Sequence, residues 1–170
     1  MANDEYIKSL ENIIKQMLKP LTGIPFNLVI EAMTGKKVIP FNFKDQDHKY
    51  VLGLLEEAAL IAGKEINKEG IKRSRPNEVG NDIEVYVRKA LNSLGLEADI
   101  PTTQKGNKKS VGYPDIIFWC KDKPYYLECK TYNIDNIDTT QRSFYFSPSD
   151  AFKVIHDAIH FILSYEIQKQ

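Results

Sequence analysis

Nowhere in the 170-residue sequence does an apolar run approach the roughly 18–20 residues that a membrane span needs. The opening residues, "MANDEYIKSLENIIKQ", are acidic and amphipathic, which excludes a signal or transit peptide and leads us to expect a cytoplasmic protein. Cysteine is scarce. The two present, Cys120 and Cys129, cannot by themselves make a four-ligand zinc site, and a disulfide framework is foreign to the cytoplasm, so both are expected to be small buried hydrophobes. There is no excess charge of either sign: 23 Lys and Arg balance 23 Asp and Glu. That rules out a uniformly basic surface but leaves room for a local basic patch. No internal repeat or low-complexity tract is present.

What is there is a chain long enough for one domain with a helical appendage. Apolar spacing predicts helices over 4–19 (Ile7, Leu10, Ile14, Met17, Leu18), 25–33 with Gly35 as stop, and about 46–63. "KKVIPFN" has the makings of one short strand, and the polar, basic residues 64–76 read as a connector. Beyond it, "NEVGNDIEVYVRKALNSLG" predicts a helix with Ile83, Val87, Ala90, Leu91 and Leu94 on one face. A short strand around "LEADI", a polar loop, a hairpin at 112–130, a loop from Thr131 and a further strand at "FYFS" follow. A long helix from Ser149 to about Gln168 is then expected, its face formed by Val154, Ile155, Ala158, Ile159, Ile162 and Leu163. This order specifies an α/β fold, a mixed β-sheet flanked by helices, with an α-helical N-terminal segment.

The hairpin "GYPDIIFWCKDKPYYLECK" carries Asp115, Glu128 and Lys130 where a half-buried strand pair would have apolar side chains. With "KDKP" as the turn, Cys120 faces Tyr125 and Asp115 faces Lys130, with Glu128 on the diagonal, roughly 7–8 Å away and within side-chain reach. Strand alternation puts Glu128 and Lys130 on one face and Cys129 on the other. Trp119 shares the parity of Asp115 and should pack at the edge of the core. Two carboxylates converging in this way can share one Mg²⁺, which takes oxygen ligands at about 2.0–2.1 Å. A lysine beside them can orient or deprotonate water and stabilise charge on a phosphate. The competing explanation is a solvated, charged sheet face.

The pattern Tyr-Pro-Asp, twelve residues, Glu-Cys-Lys resembles the PD-(D/E)xK nuclease superfamily, with Pro114–Asp115 as its PD element and Glu128–Cys129–Lys130 as its ExK element. The resemblance covers about half the chain, with residues 79–163 supplying the core elements in order up to the second core helix. It implies a restriction-endonuclease-like core over 76–170, preceded by a helical segment over 1–75 that docks on DNA or dimerises. It also implies hydrolysis of DNA phosphodiesters with Mg²⁺, for which Mn²⁺ can substitute, by in-line attack of a metal-activated water. Asp115 and Glu128 would hold the metal, Lys130 would position the water, and Glu84, on the first core helix, would join the metal site. The look of "RPNEVGNDIE" and "ECKTYN", with the helical N-terminal segment, favours a type II restriction endonuclease acting on double-stranded DNA as a homodimer. A structure-specific repair or recombination nuclease would use the same site, and a non-catalytic DNA-binding module would share the fold. One departure stands out. The family adds a strand after its second core helix, whereas this sequence stops at "SYEIQKQ", so the sheet is either completed differently or truncated at its C-terminal side.

Several residues have competing roles. Asn81 three residues before Glu84 makes a capping-box-like helix start, and Glu78 rivals Glu84 for the metal. Asp47-His48-Lys49 repeats the Asp/Glu-x-Lys pattern without an upstream Pro-Asp or a strand pair, and is expected to be a solvated cap. His156 and His160, spaced as in zinc-peptidase helices, have no evident third ligand and read as polar positions on a packed helix. Candidate DNA contacts are Lys72, Arg73 and Arg75 before the core helix, and Gln104, Lys105, Asn107, Lys108 and Lys109 in the loop before the hairpin. Gln141 and Arg142 beyond the hairpin complete the set.

Overall fold

Alternating burial along "IIFWC" and a run of buried residues in "KPYYLECKTY", a strand covered on both faces, make the centre of the fold a tight hairpin. In a computed structural model, which describes residues 6–11, 13, 23–70, 76–132 and 151–167, it joins strands β2 (Ile116–Cys120) and β3 (Lys123–Tyr132). β1 (Glu97–Asp99) pairs antiparallel with β2, and β4 (Ile159–Glu166) pairs parallel with β3, giving a four-stranded mixed sheet in the order β1-β2-β3-β4. Helices α1 (Phe26–Thr34), α2 (Gln46–Glu69) and α3 (Pro76–Ser93) complete the described elements, and residues 6–11 are also helical.

The apolar stripe of α3 (Ile83, Val87, Ala90, Leu91) meets Val51, Leu55, Ala58 and Ala62 of α2 and one sheet face: Ile116, Phe118, Cys120, Tyr125, Leu127, Cys129 and Ile159. Both cysteines are free and buried there, as expected. Complete burial of large side chains such as Phe118 and Leu127 supplies about 1.5–3 kcal/mol each. On the opposite sheet face a smaller cluster joins Ile30 of α1 to Tyr126, Val154 and Ala158. The sheet is thus covered on both sides. α1 ends at Gly35, whose φ of 69° is the left-handed conformation that glycine adopts without a Cβ penalty.

Four expectations are corrected. The hairpin turn has two residues, Lys121 and Asp122, both at positive φ, and the ladder pairs Cys120 with Lys123 and Ile116 with Leu127. Pro124 had suggested a longer turn, but it lies in β3 opposite Trp119, just before pairing with β4 begins at Tyr125. Proline is tolerated there because its missing N–H points to the side with no strand partner. The register moves by two residues, so every side chain keeps its face.

Second, the expected C-terminal helix is instead an irregular segment followed by β4. The residues 155, 158, 159 and 162 suit a helix, but Ile159, Phe161, Leu163 and Tyr165 also alternate, and that set packs onto the main core. A sheet edge beside β3 is available to be paired, and tertiary context decides between the two periods. The sheet thus gains a C-terminal strand, β4, parallel to β3, where the sequence suggested that none follows. The HxxxH spacing of His156 and His160 accordingly lies on no helix.

Third, α2 runs through the expected connector to Glu69, because Ile61, Ala62 and Ile66 extend its apolar face and Gly70 terminates it. Fourth, β3 continues through Thr131 and Tyr132, which were read as the start of a loop. "KKVIPFN" contributes a single bridge, Val38 to Ala158. The expected strand "FYFS" and most of the helix 4–19 lie outside the described residues.

Candidate active site

Asp115 stands immediately before β2. One step beyond the last ladder pair it comes alongside Glu128 of β3, and its Oδ2 accepts the Cys129 backbone N–H at 2.8 Å. That bond fixes the carboxyl against the neighbouring strand. Glu128 is the buried member of the pair: its side chain is 7% exposed, against 30% for Lys130, whose Nζ lies 2.6 Å from Glu128 Oε1. The other carboxylate oxygen, Oε2, is buried and has no hydrogen-bond partner among the described residues. Cys129, between them in sequence, points into the main core. Alternation thus separates a charged face from an apolar one within three residues.

Desolvation pushes the Glu128 carboxyl up to about 6, with Asp115 adding to the shift and Lys130 opposing it. Asp115 is also raised by desolvation, offset by the Cys129 N–H and by Lys130. The two carboxyls are close enough to influence each other's titration, and the Asp115 charge favours the neutral form of Glu128. Glu84 rises to about 7, first through desolvation and then through Asp115 and Glu128, so α3 brings it into the electrostatic reach of both. Because α3 begins at Pro76, Glu84 sits well inside the helix, and the helix-cap alternative for Glu84 with Asn81 is removed. Glu78 lies in the first turn of α3.

This donor set suits a hard divalent cation. Carboxylate charge is concentrated in a low-dielectric spot, and a buried carboxylate oxygen lacks a hydrogen-bond partner among the described residues. No three His, Cys, Asp or Glu side chains converge as a ready-made cage among the described residues.

One residue that sequence reasoning missed belongs to the same cluster. Lys153, in the irregular segment before β4, is 3% exposed and interacts electrostatically with Asp115, Glu128 and Glu84. No motif could have flagged it, because its placement depends on the crossover from β3 to β4.

The predicted DNA contacts divide. Gln104 and Lys105 are exposed at the tip of a small turn closed by Thr103 N–H to Asn107 O (2.9 Å), and Asn107 is exposed beside them. Lys108 pairs with Asp99, an exposed ion pair of small energetic value. Lys109 Nζ donates to the Ala151 carbonyl at 3.3 Å, tying this loop to the segment that carries Lys153. Lys72, Arg73, Arg75, Gln141 and Arg142 lie outside the described residues. The second Asp-x-Lys copy falls in the first turn of α2, capped by Asp45, and Asp47 binds Lys121 (2.8 Å) and Lys123 (3.3 Å) at the hairpin turn. His160 is half-buried among Tyr113, Tyr126 and Phe26, its Nδ1 hydrogen-bonded to the Tyr113 hydroxyl, and desolvation lowers it to about 4. Trp119 is half-buried against His156.

Among the described residues no helix is long and apolar enough to cross a membrane. No solved structure matches the chain. A search of curated proteins finds a type II restriction enzyme, MjaV, from Methanocaldococcus jannaschii. It is 39% identical over an alignment that covers 99% of this chain and 80% of the relative. The family model of the type II restriction enzyme MjaV family matches residues 21–170, which include every element of the sheet and the carboxylate cluster. The chain belongs to the MjaV family of type II restriction enzymes and is a restriction endonuclease.

Proposed function

We propose that the site formed by Asp115, Glu128, Lys130 and Glu84 cuts double-stranded DNA with Mg²⁺ as cofactor. The observation that carries this reading is the Asp115–Glu128 carboxyl pair, with Glu128 buried and Lys130 held 2.6 Å from it, in a chain of restriction-enzyme lineage. Asp115 and Glu128 would hold the cation, and Glu84 would supply a further carboxylate to it or to its water ligands. Bound there, Mg²⁺ would polarise the scissile phosphate and favour hydroxide as nucleophile. The protein's own part is to orient and to manage protons. The Cys129 N–H keeps Asp115 turned toward Glu128. The Lys130 ammonium, on the more exposed side of the pair, holds an attacking water by hydrogen bond and steadies negative charge as it develops on phosphate oxygen.

Gln104, Lys105 and Asn107, at an exposed loop tip ahead of the PD element, are proposed to approach DNA, with Lys108 and Lys109 alongside and the basic residues Lys72, Arg73, Arg75 and Arg142, with Gln141, completing the contact. A two-fold homodimer on a palindromic target is the assembly we favour, with segment 1–75 docking on DNA or dimerising beside the 76–170 nuclease core. Ile7 and Leu10, two members of its apolar stripe, are exposed and fit such a role. DNA of this kind is met in the cytoplasm. The test is incubation with plasmid DNA in Mg²⁺. Discrete fragments that disappear with EDTA support the reading. No cleavage of any DNA form by the folded, full-length protein would sink it.

The carboxyl shifts make a separate prediction. With Glu84 at about 7 and Glu128 at about 6, against 4.5 ordinarily, the folded protein holds protons in this window that the unfolded chain has released. Stability from these groups is present below the ordinary value and is lost as pH rises through the raised ones. Without divalent cation the melting temperature should therefore fall between about pH 5 and pH 7.5, and the fall should be shallower in Glu84→Gln. Mg²⁺ should raise the melting temperature at the upper pH and have little effect at the lower, where protons compete for the same oxygens. Thermal melts at both pH values, with and without Mg²⁺, check this. A Mg²⁺ effect equal at both would show that the cation binds elsewhere.

A further inference from the structure

Lys153 has the properties of a group held ready for something the free protein does not contain. Its side chain is almost wholly buried, yet Nζ has no hydrogen-bond partner among the described residues. A desolvated ammonium is costly to leave in that state, and buried charges are normally paired. Here the charges that could pair with it are close at hand, since Asp115, Glu128 and Glu84 all attract it. Among the described residues it nevertheless has no hydrogen-bond partner in any of them, and Glu128 Oε2 is itself without one. A lysine serving only to balance the carboxylates would be expected to close onto that oxygen.

The position of Lys153 is not left to chance. Two residues upstream, the Ala151 carbonyl accepts Lys109 Nζ, and two and three residues downstream, the backbone N–H groups of Ile155 and His156 donate to the Tyr126 hydroxyl at 2.9 and 3.2 Å. The neighbouring Val154 is buried in the second cluster. The segment is thus pinned on both sides of the lysine, to the loop before the PD element and to the strand that carries Glu128.

The charge count points the same way. Three carboxyls are met by three cations, Lys130, Lys153 and, at Glu84, Arg88, and Lys130 is already on Glu128. A divalent cation taken by the carboxylates would turn the local balance positive, and an entering phosphodiester would bring the compensating charge. We propose that Lys153 contacts substrate, its ammonium binding a non-bridging oxygen of the scissile phosphate. This rests on the nuclease reading above and adds a second lysine to the site.

The test uses the full chain and a DNA fragment carrying the site that the wild-type protein cuts in Mg²⁺. Lys153→Met is expected to lower the single-turnover cleavage rate at saturating enzyme about 100-fold. Binding measured in Ca²⁺ should show the slope of log Kobs against log salt reduced by about one, the signature of one lost phosphate contact. Lys153→Arg, which keeps the cation, should retain the wild-type slope. An unchanged slope in Lys153→Met, or cleavage within about threefold of wild type by the folded variant, overturns the proposal. If Lys153→Met does not melt cooperatively, Lys153→Gln is read by the same two measures. If neither neutral variant folds, the charge is structural and the proposal falls. A wild-type protein that cuts no DNA would instead remove the nuclease reading, which separates the two failures.

Discussion

Lys130→Ala is expected to slow DNA cleavage by about 10³-fold or more while leaving DNA binding largely intact. Two losses combine in that figure. The first is the cation next to the reacting phosphate, which matters more in a desolvated site than it would in water. The second acts through Glu128. Lys130 is one of the influences holding that carboxyl down against burial and Asp115, so its removal sends the Glu128 pKa above the present value of about 6. More of the protein then carries a neutral Glu128 near neutral pH, and a neutral carboxyl is a poor cation ligand. Raising the pH should therefore restore cation binding in Lys130→Ala, but not the cleavage rate. The fold should tolerate the change, because Glu128 can take up a proton rather than remain an unpaired buried charge. Asp115→Ala should be inactive as well. Lys49→Ala, in the exposed Asp-x-Lys copy on α2, should cleave like wild type. Cleavage by Lys130→Ala within about tenfold of wild type would place the chemistry at a different set of residues.

These residues were legible in the sequence because strand parity survives errors that exact register does not. The turn was placed with two residues too many, and Asp115 was matched to Lys130 rather than brought beside Glu128. A slip of two leaves every side chain on its face, so the grouping of Asp115, Glu128 and Lys130 did not depend on the detail that was wrong. The Asp-x-Lys copy at 47–49 could be set aside for the same reason, since it has no partner strand to bring a second carboxylate near. Legibility failed where the answer lay in distant packing. "IHFILSYE" carries both periods, and only the open side of β3 selects the strand. Once that segment is a strand, the residues before it run irregularly over the sheet, and Lys153 arrives at the carboxylates. No local pattern around "AFKVIHD" announces this. Glu84 was ambiguous from sequence for a smaller reason. The true helix start at Pro76 competes with a good capping signal at Asn81, and only the first puts Glu84 inside the helix.

Tyr126→Phe is expected to destabilise the protein by about 2–3 kcal/mol and to impair cleavage as well, from a position that touches no reacting group. Tyr126 is completely buried on β3, two residues before Glu128, and its ring lies against His160. Its hydroxyl accepts the backbone N–H groups of both Ile155 and His156. Phenylalanine keeps the ring and its apolar contacts, so the change isolates the two hydrogen bonds. Those N–H groups belong to an irregular segment and have no ladder partner to fall back on, which is why their loss costs more than a typical exposed bond. For a chain of this size the melting temperature should fall by roughly 5–10 °C. The functional consequence follows from sequence distance, because Ile155 is two residues from Lys153 and the same segment leads into β4. Loosening it should lower the cleavage rate at saturating DNA by about tenfold, since even small displacements of a positioning group are expensive in rate. The rate loss should persist well below the variant's own melting transition, where the protein is fully folded. Thermal melts together with single-turnover cleavage at a temperature where both proteins are native measure the two effects separately. A destabilised Tyr126→Phe that cleaves at the wild-type rate would mean that the segment before β4 supports the fold without positioning the site.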